Sequence, residues 1–430
     1  MSDALDFMLA ARRSEMHGLQ ALELTCKLVG SISQLVHALQ RERGFSNMLL
    51  GSQNACYRQG LEELTRQSRV FEREVRSRFD KLDIEAGCGA EKARLFNRIA
   101  YVLHAFEGMT ALRERVRQQT ITPLDATQGF SRPIGGLLAV VFEAADSAVD
   151  PQVTRCLVAL FNFMQGKELA GQERATGVAG FAAGWHEPAQ LDRLVYLQDA
   201  QQRCFDIFME FAEGDLLARW QRLCTDEVTR ELVRLRQVAA RTSREAPVTQ
   251  ALGEVWFELA SRRIDAMKDI EDRMTDRLRA LCHARVSQAR ADLENHRALS
   301  RRLGSMSEEA DASAPRLFNV QATELDCAPA DNLGNQLNRS VLDALHGQTL
   351  RLQALSEELE EARRSLSERK LIERAKAALM AQHGLKDDEA YRMLQNAAME
   401  RCQRLADVAQ TVLNYTGLLQ SKPGVTPQRR

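Results

Sequence analysis

From about residue 20 to residue 300 the apolar residues recur every three or four positions, as in Leu28, Ile32, Leu35, Val36 and Leu39, and again in Val228, Leu232, Leu235 and Val238. That period lines one face of a helix, whereas a half-buried strand alternates with a period of two. Proline is scarce and no β-branched alternating run occurs, which argues against a sheet, and an all-α fold is expected. The pattern breaks at 85–90, 120–129, 149–152, 183–190 and 244–249. Helices of this length joined by short polar turns predict antiparallel bundles.

A weak repeat divides the region. Glu42-Arg43 and Glu173-Arg174 lie 131 residues apart, each preceded by a helix and followed by small residues and another apolar turn. Two pseudo-equivalent bundles are expected, each contributing one inward arginine. The helical neighbours of Arg43 are Val36, Leu39, Ser46, Asn47 and Leu50, and those of Arg174 are Ala170, Gly171, Gly177, Val178 and Phe181. Arg236 has Leu232, Val233, Ala239 and Ala240 on its face. A single such arginine usually packs its stem and sends its head to solvent or to an acid. Several converging on small, apolar faces need an anion between them, because an unpaired buried charge costs several kcal/mol. The guanidinium fork suits planar oxyanions such as carboxylate or nitrate.

Residues 303–340 are rich in Ser, Ala, Asn, Asp and Pro, carry no packing period and read as a linker. Leu345, Leu352, Leu359 and Leu366 then mark heptads, predicting a short coiled coil over 341–368 that would join two chains. Residues 367–417 read as three short helices, and 418–430 as a tail. From Arg363 onward thirteen Lys or Arg face seven Asp or Glu, although the whole chain carries a formal net charge of only −1. Arg374, Lys376, Tyr391, Arg392 and Gln395 combine bases, an amide and a ring, a set that can hold phosphates and stack an unpaired base. This favours loop or single-stranded RNA over duplex DNA; the alternative is a solvated face with a surface tyrosine.

No nucleophile elbow, phosphate loop or dinucleotide fingerprint occurs, and HEPAQ (186–190) lacks the second histidine of a zinc helix. No enzyme, metal or cofactor is therefore expected. Nine cysteines, with no C-x-x-C pair, suggest a reducing compartment, and no apolar run approaches a membrane span. A cytoplasmic protein is expected.

RKLIERAKAALMAQHGLKDDEAYRMLQNAAMERCQRLADVAQTVL (369–413) closely resembles the ANTAR domain, an RNA-binding antitermination module; it departs from the family at Ala377, where glycine is usual. LQRERGFS (39–46), KELAGQERATG (167–177) and WFELASRRIDAMKDIED (256–272) resemble the NIT domain, a nitrate- and nitrite-sensing module, here assigned to 20–300. The resemblance implies nitrate or nitrite bound between two bundles by Arg43 and Arg174. Arg236 joins them on its helix face alone. It further implies that the ANTAR unit binds paired hairpins in a leader RNA; the coil adds the expectation of a homodimer, and linkage between anion and RNA binding that of a restrained resting state. Two other readings stay open: a ligand-free dimerisation scaffold with constitutive RNA binding, in which the arginines pair with acids such as Glu173 or Glu231, and a sensor of another small anion.

Overall fold

The computed structural model describes residues 2–52, 56–82, 90–146, 148, 150–306, 359, 364, 367–385, 387–401 and 403–420. Every regular element among them is a helix. The first half comprises α1 (Ser2–Ser52), α2 (Cys56–Phe79), a third rod broken at Gly108 into α3 (Ala90–Glu107) and α4 (Met109–Arg117), and α5 (Pro123–Asp146). The second repeats that order with α6 (Pro151–Ala183), α7 (Pro188–Phe211), α8 (Asp215–Thr225) with α9 (Glu227–Ala239), and α10 (Leu252–Met306). The C-terminal unit is α11 (367–383), α12 (Asp387–Arg401) and α13 (Leu405–Gln420). The all-α expectation holds.

Local chemistry sets the helix ends. Asp150 caps α6 by accepting from the Val153 amide at 3.0 Å, with Pro151 in the first turn. Gly184 ends α6 at φ +83°, a left-handed conformation that favours glycine. Glu187 and Gln190 form a reciprocal capping box on α7, and Asp226 caps α9. The breaks at Gly108, before Asp215 and at Asp226 escape a periodicity reading, because the apolar pattern continues through them. Helix α10 runs four residues into the span expected as linker. The rest of that linker, the break at 85–90 and nearly all of the coiled coil lie outside the described residues.

Helix α10 packs along both α1 and α6, which also touch each other locally, with α2 and α5 covering α1 and with α7 covering α6. One apolar core runs through both halves, from Leu28, Ile32 and Leu35 to Phe163, Phe208 and Met274. Apolar burial on this scale can hold a polar seam in place, and such a seam runs between α1, α6 and α10. The α11–α13 unit closes a small core of Ala375, Leu379, Ala390, Leu394, Val408 and Ala409.

Candidate functional site

Arg43 on α1 and Arg174 on α6 face each other across the seam, both almost fully buried. The Arg43 guanidinium makes a two-pronged pair with Glu168 of α6, at 2.6 and 3.0 Å, and donates to the Ser131 hydroxyl of α5 at 2.9 Å. Arg174 donates to the Ser261 hydroxyl of α10 at 2.8 Å and to the Gln40 carbonyl of α1 at 2.9 Å, and lies over the Phe257 ring at 5.1 Å. No carboxylate among the described residues forms an ion pair with it. Burial first, then repulsion from Arg43, lowers the Arg174 pKa to about 10.

Two glycines make room for the heads. A Cβ on Gly171 would lie 2.6 Å from Arg43 Nη2, and one on Gly44 would lie 2.5 Å from Arg174 Nη2. Between the arginines, Asn47, Ala175 and Phe257 line a small cavity of about 10 Å³. Apart from the Asn47 amide its lining is small and apolar, so the charged groups that converge there are the guanidinium heads.

The acid that precedes each arginine is held away from the site. Arg113 on α4 grips Glu42 at 2.8 and 3.0 Å, and Arg236 on α9 grips Glu173 at 2.7 and 2.8 Å. The structure therefore brings Arg43 and Arg174 together and leaves Arg236 on Glu173, outside their cavity. Its helix face gave its inward direction correctly, but a two-pronged acid already satisfies its fork. Sequence reasoning missed Glu168, Ser131, Ser261 and Arg113. Glu168 and Ser261 lie inside the quoted motifs, but nothing in helical spacing says which distant helix they meet.

Deeper along the seam, Lys167 approaches Glu271 at 2.6 Å, and Lys268 pairs with Glu271 and Asp272 at 3.2 and 2.8 Å. Burial opposes ionisation of Glu271, but Lys167 and Lys268 outweigh it and hold its pKa at about 2.

Residues 34–279 match the family of nitrate and nitrite sensing, NIT. The chain belongs to the NIT family. Residues 360–413 match the ANTAR domain. The nitrate regulatory protein of Klebsiella oxytoca is 34% identical over 428 residues, covering 98% of this chain and 97% of that protein. The transcriptional regulatory protein PdtaR of Mycobacterium tuberculosis is 39% identical over 64 residues, 15% of this chain and 31% of its own length. The structure of the NasR transcription antiterminator superposes with a TM-score of 0.58 at 30% identity, covering 97% of this chain and 100% of that one. As a NIT–ANTAR protein this is a signal-responsive regulator and not an enzyme. No helix among its described residues is long and apolar enough to cross a membrane.

The ANTAR unit rests on the NIT domain, against α6 and α7. Tyr391 is buried in a cluster with Leu169, Tyr196, Leu197 and Ala200, and the Arg203 guanidinium lies 4.1 Å from its ring centre. The Tyr196 hydroxyl donates to Asp387 at 2.6 Å, and Lys376 pairs with the same carboxylate at 2.8 Å and with Glu373 at 3.2 Å. Burial disfavours the charge on Lys376, but Glu373, Tyr196 and Asp387 together raise its pKa. Arg392 approaches Asp192 of α7 at 3.8 Å. Lys370 pairs with Asp146 at 2.8 Å, and Arg369 reaches Asn162. Of the five residues read as RNA-binding, Lys376 and Tyr391 are thus buried and engaged. Arg374 is exposed and lines the cleft between the two domains, and Gln395 is half-buried.

Proposed function

We propose that nitrate or nitrite binds between Arg43 and Arg174 and that binding releases the ANTAR unit to engage RNA. The observation that carries the first half is Arg174: a buried guanidinium with no ion pair among the described residues, facing a second guanidinium across a small cavity. A monovalent planar oxyanion supplies the missing charge and accepts in the plane of both forks. The second half rests on Tyr391 and Lys376, whose ring and ammonium are covered in the docked arrangement. A ligand shifts an equilibrium only by its differential affinity, so the anion must prefer the arrangement in which that docking is loosened.

The output we infer is antitermination: the freed ANTAR unit binds paired hairpins in a leader transcript of nitrate assimilation genes, so that the terminator does not form. The likeness to the nitrate regulatory protein and the NasR antiterminator supports this reading. We also assign the protein to the cytoplasm, where transcripts are made, as a homodimer joined through 341–368.

Calorimetric titration of the protein with sodium nitrate, with chloride and sulfate as controls, tests the reading. Saturable nitrate binding that disappears in Arg174→Ala, in a variant that still melts cooperatively, is expected. A well-folded wild type that ignores nitrate would leave an RNA-binding scaffold.

A further inference from the structure

Arg43 is already occupied. Its fork holds Glu168 with the two-pronged geometry it would offer nitrate, since a carboxylate and two of nitrate's three oxygens match the same guanidinium edge. The pseudo-repeat shows that this acid is a departure from symmetry. The position 131 residues before Glu168 is His37, and burial, then Lys167, lowers its pKa to about 2, so it brings no negative charge to the first half. The two arginines therefore share one internal carboxylate.

Glu168 also begins a chain of contacts that leaves the site. Gln172, one turn on, donates to Glu168 at 3.0 Å and accepts from Arg193 of α7 at 2.9 Å. Arg193 lies 5.4 Å from the centre of the Tyr196 ring, whose hydroxyl donates to Asp387 in the first turn of α12. Leu169, the neighbour of Glu168 on α6, lies in the apolar cluster that receives Tyr391. The polar and the apolar halves of the docking surface thus both trace back to one turn of α6.

Resting on the nitrate reading above, we propose that Glu168 is the sensor's internal competitor: the anion takes Arg43 from it, and its displacement travels through Gln172, Arg193 and Tyr196 to undo the grip on Asp387. Displacement follows from charge. Once an anion sits on the Arg43 fork, the Glu168 carboxylate beside it is repelled and must leave, and Gln172 loses the oxygen it was oriented on. Glu168 is a positioning residue, acting on the ligand by yielding its place.

Full-length protein, titrated with sodium nitrate and followed by amide hydrogen exchange over 367–401, tests this. Glu168→Gln keeps the shape and a hydrogen-bond acceptor for Arg43 but removes the competing charge. It should bind nitrate roughly tenfold more tightly, about 1.4 kcal/mol. Gln172→Leu, at a half-buried position, should bind nitrate at least as tightly as wild type, while exchange over 367–401 ceases to respond to it. A folded Glu168→Gln variant that binds nitrate no more tightly than wild type overturns the competitor. A Gln172→Leu variant whose ANTAR exchange still rises with nitrate overturns the relay, and decides the matter if Glu168→Gln does not fold. Absence of nitrate binding by the wild type would overturn the underlying reading instead.

Discussion

Arg43 and Arg174 each fill the space that a side chain on the other's helix would need: Arg43 lies over Gly171, and Arg174 over Gly44. The exchange is reciprocal, down to the serine each contacts on the last helix of one half, Ser131 and Ser261. A packed interior does not leave such room without a reason, because voids and overpacking both destabilise.

Gly44→Ala and Gly171→Ala therefore push one guanidinium each. The atoms they meet are the ends of long side chains, so the fold should survive with a loss of about 1–2 kcal/mol. Nitrate affinity should fall at least roughly tenfold, because small misplacements at a binding centre are costly. Titration beside a thermal melt separates the two effects. Unchanged affinity in either variant would place the anion elsewhere.

Arg113 offers a stability test unconnected with ligand. Removing it leaves Glu42 charged, buried and without its fork, a change that typically costs about 3–5 kcal/mol. Arg113→Ala should shift the urea midpoint strongly, and Glu42→Gln in the same chain should recover part of the loss. Additive losses in the double variant would show that the pair is not coupled.

The sequence made both central arginines visible, because the face of a helix follows from spacing alone. Adjacent helix residues point apart, and the structure finds Glu42 on Arg113. Their partners were not visible: Glu168 reaches Arg43 from another helix, 125 residues away. Arg113 looks like any surface charge in RERVRQQ (113–119), and only tertiary packing buries it. For Arg236 the helix face gives a direction but not the acid waiting there. Tyr391 and Lys376 stand out by their chemistry; that the sensor covers them depends on contacts between distant segments, which no local pattern records.

Acid should weaken the fold through His37. Half-buried beside Lys167, Glu271 and Lys268, with Arg41 and Asp265 nearby, it stays neutral in the folded state down to about pH 2. The unfolded chain takes up that proton near pH 6.5. Its contribution is therefore fully present above about pH 6.5 and is lost progressively as the pH falls. Glu271, depressed to about 2, adds a further loss below about pH 4.5. Melting temperature should decline between pH 6.5 and 5, and His37→Gln should flatten that decline. Identical slopes would assign it to other groups.

Arg203→Ala removes the guanidinium stacked on Tyr391, an interaction of about 0.5–2 kcal/mol. Such a loss should raise the undocked fraction several-fold and increase binding to a two-hairpin RNA in the absence of nitrate. Gel-shift titration without and with nitrate reads this directly. If the variant binds RNA no better than wild type, Tyr391 is not held back by α7.

The internal duplication does something a symmetric pair of subunits cannot. In a two-fold dimer every residue at the interface occurs twice, so a site built from one Glu-Arg motif per subunit carries two companion carboxylates or none. Because both halves here are encoded in one chain, position 37 can hold histidine where position 168 holds glutamate. The outcome is an odd electrical count at the centre, two cations to one acid, which a single monovalent guest can make even.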